Sequence, residues 1–418
     1  MKILPLIFVT LIAMNGNPIM AQDYDIVIKG GHVIDAKNNI DKVMDVAVTD
    51  GKIAKVAKKI NAKDALQVVD AEGLYVTPGL IDIHAHVFYG TQPDQYLNNS
   101  FTAVPPDGFT FRVGVTTVVD CGSSGWRTFP TFKENIIDRS GTRVLSFLNI
   151  VGKGMRGGAY EQDTSDMSSK LSADVARRYK DLIVGFKVAH YAAEDWIPVD
   201  RAVEAGRLAG DIPVIIDFGG SNDHPPLSIE KLFFDHLRPG DIYTHAFTEL
   251  DPREPIVDTG TRKLKPFVVK AQERGIVFDV GYGGASFDYG QAIPALKSGF
   301  YPNSISTDLH TGSMNSAMKD MLHVMSTFLT MGMDLNAVIK ASTWAPAQEI
   351  NREELGNLSV GAPADIAVLD LRKGNFGFWD RKGKKLEGTQ KFECELTVRD
   401  GRIVYDLNGI AVPVIVKR

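Results

Sequence analysis

Cysteine is nearly absent from this 418-residue chain: Cys121 and Cys394 are the only two, so neither a disulfide framework nor a four-cysteine zinc module can organise it. Standing far apart in the sequence, they are expected as separate, buried, unpaired thiols. No basic run exceeds a few residues, and the densest, 381–385, is interrupted by Gly383. With 46 Lys and Arg against 51 Asp and Glu the net charge is -5, which gives no electrostatic footprint for nucleic acid or for an anionic membrane surface. After residue 14 no apolar run approaches the roughly 20 residues a membrane helix needs. The glycine pairs Gly219-Gly220 and Gly283-Gly284 precede no Gly-Lys-Ser/Thr element, so they read as turns and not as phosphate loops.

What is present is a globular composition, 44% hydrophobic and 23% charged, enough for one large domain and a smaller one. Residues 1–21 have the shape of a secretory signal peptide: Lys2, an apolar stretch over 3–14, then small and turn residues ending at Ala21. Cleavage after Ala21 would send a mature chain, free of the membrane, to the periplasm or the exterior. From 22 to 78 the pattern is strand-like, with Asp50-Gly51 as a hairpin turn between alternating runs. The same texture returns over 351–418, where Asp400-Gly401 repeats the turn. A small β-sandwich assembled from both chain ends is therefore expected.

Between them, over 79–350, short apolar runs alternate with amphipathic stretches. The runs lie at 79–84, 115–119, 143–150, 182–188, 213–218, 241–244, 275–280 and 304–307, and helical periodicity occupies 173–181, 199–209, 266–274 and 318–331. Eight strands separated by helices predict an α/β fold, a (β/α)8 TIM barrel. A doubly wound sheet also alternates, but here the polar residues of metal chemistry close many different strands, whereas a doubly wound sheet gathers its chemistry near one switch point.

The most informative of these strand ends is the first. In a strand, residues two apart share a face, so the run closing on His84-Ala-His86 delivers two imidazoles to one side, a pincer for a metal ion. Lys187 ends the fourth run between apolar neighbours, where a lysine is costly unless paired. Asp217, His245 and Asp308 end the fifth, sixth and eighth. Each alone is an ordinary polar residue at a strand end; the series together is not.

The blocks Thr77-Pro-Gly-Leu-Ile-Asp-Ile-His-Ala-His86, Val115-Thr-Thr-Val-Val-Asp120, Gly185-Phe-Lys187-Val188, Arg238-Pro-Gly-Asp-Ile-Tyr-Thr-His245, Phe278-Asp-Val-Gly281, Ser306-Thr-Asp308-Leu-His310, Ala341-Ser-Thr-Trp-Ala-Pro-Ala347 and Gly361-Ala-Pro-Ala-Asp-Ile-Ala367 follow in one order along nearly the whole mature length. In this the chain resembles the amidohydrolase superfamily, in its deacetylase, dihydroorotase-like branch. The resemblance implies two divalent metal ions, zinc first, with His84 and His86 on the first ion, a carboxylated Lys187 bridging both, and His245 on the second. It implies Asp308 as ligand and catalytic proton shuttle between an attacking metal-bound hydroxide and the leaving group.

One position departs from that pattern. The family presents a histidine at the end of the fifth strand, and Pro213-Val-Ile-Ile-Asp217 presents a carboxylate. Asp217 ligates in its place, or His224 or His190 lends an imidazole from a loop, or a single metal binds; strand register favours Asp217. A carboxylate there brings manganese or iron into consideration beside zinc. Loop residues Tyr282, His310, His190, His224, Trp126 and Arg127 are the substrate-facing candidates, with Lys153, Arg156 and Tyr191 as further ones. His32, His236 and His323 fall off the strand ends and read as packing or surface residues.

The expected activity is hydrolysis of an amide or ester in a small N-acyl or O-acyl carboxylic acid. Opening of a cyclic amide or lactone is the alternative, and a non-catalytic binding protein on the same barrel is the rival from another class. The expected partner is a small molecule, and barrel surfaces of this kind leave a homo-oligomer open.

Overall fold

A computed structural model describes residues 22–93, 95–217 and 220–413. The expected signal peptide, and Phe218 at the end of the fifth run, lie outside the described residues. No helix among the described residues is long and apolar enough to cross a membrane.

Seven parallel strands follow one another in chain order around the barrel: Leu80–Ala85, Val115–Gly125, Arg143–Asn149, Ile183–Val188, Val214–Ile216, Ile242–Tyr243 and Val277–Phe278. The eighth run is not a regular strand. It closes the ring through isolated parallel bridges, Asp279 to Ser304 on one side and Leu309 to Ala85 on the other. Backbone bonds support both seams, from Tyr282 N to Ser306 O at 3.2 Å and from Asp308 N to His84 O at 2.7 Å. Asp82 reinforces the second seam by accepting from the Thr307 hydroxyl at 2.5 Å, the Thr307 amide at 3.1 Å and the His84 amide at 3.2 Å. The eighth segment is thus fastened to the first strand partly by a side chain. Burial pushes the Asp82 carboxyl up to about 7, against those donors.

Why the barrel is solid follows from side-chain alternation. Ile81, Ile83, Val119, Cys121, Leu145, Phe147, Val184, Ile215 and Ile242 form one apolar cluster drawn from six strands, which is possible only inside the ring. Ala347, Ile350 and Leu355 plug it at the end where the strands begin. A larger cluster, including Leu148, Phe186, Val214, Ile216 and Tyr243, faces the surrounding helices. Among those helices, Ser169–Arg178, Ile197–Leu208, Pro266–Glu273 and Met321–Thr330 fall within a few residues of the expected spans. Cys121 and Cys394 are both buried and free, one inside the barrel and one in the terminal sheet.

The two chain ends interleave in one eight-stranded mixed sheet. Tyr75–Pro78 pairs antiparallel with Ile366–Trp379, and this ladder stitches the N-terminal strands to the C-terminal ones. The sheet curls back on itself, since Ile53 N bonds Ala362 O at 2.9 Å and Ala364 N bonds Gly51 O at 2.8 Å. Both predicted hairpin turns form with left-handed φ at each central residue, +51° and +74° at Asp50-Gly51 and +53° and +74° at Asp400-Gly401, the geometry for which these residue pairs are suited.

One element was not legible in the strand pattern. The hairpin of Ile366–Trp379 and Lys385–Arg399 is far longer than the apolar runs inside it. Its outer half leans on the barrel, with Phe392 N donating to Ser326 Oγ at 3.0 Å and Arg381 paired with Asp288 at 2.8 Å.

Replacing Asp82 by alanine should leave three buried donors at the closing seam without an acceptor and lower stability by about 3 kcal/mol. A denaturant midpoint unchanged from wild type would show that the seam does not depend on this side chain.

Candidate metal centre

Five of the strand-end residues named from the sequence, His84, His86, Asp217, His245 and Asp308, meet at the C-terminal rim of the barrel around a cleft of about 440 Å³, and Lys187 lies beneath it within electrostatic reach of His84. His84 Nε2 and His86 Nε2 lie 3.6 Å and 3.0 Å from the same oxygen, Asp308 Oδ1. These three buried side chains form a metal-binding group in which every donor atom is within 4.8 Å of the others. Across the cleft, Asp217 Oδ2 is 3.6 Å from His245 Nε2 and 3.3 Å from His190 Nε2. Lys187 lies wholly buried at the end of the fourth strand, and its Nζ has no hydrogen-bond partner among the described atoms.

The proton positions on the imidazoles follow from their neighbours. Thr244 donates its single hydroxyl proton to Asp279 Oδ2 at 2.6 Å, so toward His84 Nδ1, 2.8 Å away, it can only accept. His84 therefore carries its proton on Nδ1 and turns the Nε2 lone pair into the cleft. His86 repeats the arrangement, with Nδ1 3.1 Å from Ser123 Oγ and the Ser123 hydroxyl in turn bonded to buried Asp120. His245 Nδ1 donates to the Gly281 carbonyl at 2.5 Å, which again leaves Nε2 unprotonated. Three rings are thus held in the tautomer a metal ligand requires, each by a partner behind it.

Burial sets the charge states. It drives His84 down to about 4 and His86 to about 3, against the pull of nearby carboxylates, so both rings are neutral at neutral pH. Burial alone would raise Asp308, but His310, His86 and His84 around it hold its carboxyl well below the usual range. The same contest at Asp217 is won by Arg253 and His245, and Arg253 Nη2 is 2.8 Å from Asp217 Oδ1. At His190 burial lowers the pKa, yet Asp217 and Glu161 on either side outweigh it and lift the ring to about 10.

Glycines make the crowding feasible. A Cβ on Gly281 would stand 2.4 Å from Thr244 Oγ1 and 3.0 Å from His84 Nδ1, and one on Gly283 would stand 2.7 Å from Asp308 Oδ2. The Gly283-Gly284 pair is therefore a packing requirement of the centre as well as a turn. Gly122, at φ +87°, lets the stem of Lys187 pass, since a Cβ there would lie 2.5 Å from Lys187 Cγ.

The loop candidates divide. His310 lines the cleft, accepts from Gly312 N through Nδ1 at 3.1 Å, and so presents an Nε2 proton 3.7 Å from Asp308 Oδ2. His190 lines it as well. Tyr282 does not: it is buried, stacked on Phe287 at 4.1 Å, and its hydroxyl donates to the Trp379 carbonyl of the long hairpin. The apolar ring was drawn into the hairpin contact that the sequence pattern did not reveal. His224 is also corrected, because its two ring nitrogens face the Ala192 and Pro225 carbonyls at 2.7 Å and 2.8 Å. Those two carbonyl bonds raise its pKa, and a ring donating on both sides has no lone pair for a metal. Trp126 donates to Asp166 O, and Arg127 stacks on Trp126 while pairing with Asp166 at 2.7 Å, so this pair ties down its own loop outside the cleft. Lys153 and Arg156 lie over the Tyr160 ring, and Tyr191 bonds Asp195. His32 pairs with Asp41 on the terminal sheet, His236 stacks on Trp196, and His323 is buried in its helix, as packing residues.

Sequence reading missed Glu161, Arg253, Thr244, Asp279, Asp120 and Ser123. Asp120 and Asp279 close apolar runs, a signal that was available; Glu161 sits in the short 3-10 helix Gly158–Gln162 and Arg253 on a loop, and neither carried one. A larger cavity of about 770 Å³ opens at the opposite end of the barrel, lined by Asp211, Arg238, Asn303 and Lys340, with none of the site imidazoles in its wall.

Residues 288–404 match the profile of the amidohydrolase family. A deacetylase of Brucella anthropi is 30% identical over 366 residues, 86% of this chain and 87% of that protein. The fold matches the crystal structure of an adenine deaminase with a TM-score of 0.82 at 27% identity, over 92% of this chain and all of that one. It matches that of a dihydroorotase at 0.78 and 28%, over 91% and 99%.

Thr244→Val removes the acceptor that fixes His84 while preserving shape. Metal affinity, measured by chelator competition, should fall by about 10- to 100-fold; an unchanged affinity would mean that the hydroxyl does not orient the ring.

Proposed function

This chain belongs to the amidohydrolase family and is a metal-dependent hydrolase; within that activity we propose that it removes the acyl group from a small N-acyl or O-acyl carboxylic acid. The observation that carries the reading is the buried His84, His86 and Asp308 cluster at the cleft, with the Lys187 amine closed off nearby, bonded to no oxygen and with the Cys121 thiol beside it. An unpaired buried amine is costly as a cation. Its conversion to a carbamate, by addition to carbon dioxide with loss of a proton, replaces that cost with an anionic oxygen donor. His84, His86 and Asp308 would hold one divalent cation, His245 and Asp217 a second, and the Lys187 carbamate would serve both. Zinc suits the imidazole-rich first set, and manganese or iron suits the added carboxylate of the second.

A divalent cation there supplies Lewis-acid polarisation of the acyl carbonyl and activation of water at neutral pH. The protein's own residues do the rest. Asp308 is ionised, with Oδ1 turned to the imidazole pair and Oδ2 turned to the His310 side. Oδ2 is therefore the atom placed to take a proton from water and return it to the departing nitrogen or oxygen. His310, with its proton on Nε2, steadies the charge that Asp308 carries between the two transfers. Tyr96, Leu97, Met155 and Leu250 give the cleft an apolar wall for the hydrocarbon part of a substrate, and Arg253 supplies a guanidinium for its carboxylate. Deacylation is supported by the deacetylase relative and by a cleft of small-molecule size. The leader-like residues 1–21 favour the periplasm or the exterior as the place of action.

Metal-loaded protein should release carboxylate from at least one class in a panel of N-acetyl amino acids and O-acetyl hydroxy acids, and Asp308→Asn should lower kcat by about 10²- to 10⁴-fold with metal content retained. Turnover confined to cyclic amides or lactones would replace the deacylase reading. An active Asp308→Asn enzyme would remove the proton-transfer role.

A further inference from the structure

We propose that the histidine absent from the fifth strand is supplied by His190, so that His190 and Asp217 together complete the second cation position beside His245, with Glu161 as the residue that orients His190. The proposal rests on the metal-dependent reading above and adds a ligand and a positioning residue to it.

Donor spacing is the first support. Ligands about 2.0–2.1 Å from a common tetrahedral ion stand about 3.3 Å from one another. Asp217 Oδ2 lies 3.3 Å from His190 Nε2 and 3.6 Å from His245 Nε2, so one carboxylate oxygen faces both imidazoles, whose nitrogens stand farther apart than the 4.8 Å that bounds the His84, His86 and Asp308 group and would close onto a shared ion by side-chain rotation. Asp217 Oδ1 is taken by Arg253, which leaves Oδ2 as the oxygen turned to the two imidazoles.

Orientation of the ring is the second. Buried Glu161 accepts from the Gly157 amide through Oε1 at 2.8 Å and faces His190 Nδ1 through Oε2 at 2.7 Å. A carboxylate there fixes the proton on Nδ1 and aims Nε2 at Asp217. This is the same logic by which Thr244 with Asp279, and Ser123 with Asp120, present His84 and His86. A third imidazole built this way marks a ligand more than a wall residue.

Backbone conformation is the third. His190 has φ +55°, His245 +53° and Asp308 +56°, a left-handed geometry that bulky residues seldom adopt. The other two are strand-end members of the centre, and His190, three residues beyond Lys187, shares their distortion. An imidazolium clamped between two carboxylates is the competing occupant of the same space, with a proton where the cation would be.

The two are separated by counting ions. Protein stripped with a chelator, reloaded with Zn²⁺ and freed of excess by gel filtration should carry two ions per chain by elemental mass spectrometry. His190→Ala should carry one. Glu161→Gln should keep the first ion and bind the second about 10- to 100-fold more weakly in chelator competition. The Co²⁺-loaded protein should lose absorbance from one of two sites in His190→Ala, and circular dichroism should match wild type, since the His190 side chain is 37% exposed and its removal opens no core cavity. A wild type that binds one ion, or a His190→Ala protein that keeps two with unchanged affinity, overturns the inference. If such a protein still hydrolyses the acyl panel, the hydrolase reading survives; a wild type that holds no ion at all overturns both.

Discussion

A primary amine sealed from water with no acceptor is among the least stable arrangements a protein can hold, and the rim of this barrel is built around one. Lys187 cannot be moved outward, because it ends a strand whose neighbouring residues are all buried. It cannot be relieved by a nearby protein oxygen, because its Nζ has none. The left-handed Gly122 exists where the lysine stem must pass, and the nearest strand ends converge on the same small volume with imidazoles and carboxylates. A bare ammonium is disfavoured in such a place, since burial of an uncompensated charge costs several kcal/mol.

Around that constraint the protein uses one device repeatedly. Each site imidazole has its outer nitrogen occupied, by a hydroxyl backed by a carboxylate at His84 and His86, by a carbonyl at His245 and by a carboxylate at His190. The effect at His84, His86 and His245 is to choose the tautomer before any ligand arrives and to turn the Nε2 lone pairs toward one cleft, and at His190 the same kind of partner aims Nε2 at Asp217. Three of the residues that converge do so from left-handed backbone, and such strain persists only where the surroundings enforce it. The glycines of the 281–284 segment are what allow the enforcement, because side chains there would occupy the space of His84 and Asp308.

Likeness to a deacetylase, an adenine deaminase and a dihydroorotase shows how little of the chemistry the barrel itself decides. The surroundings of the strand ends are built by loops: Glu161 and His190 on one side, Arg253 on the other, and the long C-terminal hairpin that holds Tyr282 away from the cleft. His190 and Arg253 on these loops line the cleft on either side of Asp217.

Much of the architecture could be read from residue order alone, because strand alternation and helical period are local and the strand-end residues follow from them. His84, His86 and Asp308 were legible as one metal-binding group for that reason, and Lys187, Asp217 and His245 as strand-end residues, as were the two Asp-Gly hairpins and the joining of both chain ends. What only the tertiary structure decided was everything that depends on distance between loops. It gave Asp217 an arginine partner, set Glu161 behind His190, turned both nitrogens of His224 to carbonyls and buried Tyr282 under a hairpin whose length no apolar run announced. Periodicity fixes which face a side chain leaves from; which atom it meets depends on how aperiodic segments pack, and that information is stored in contacts between residues far apart in the chain.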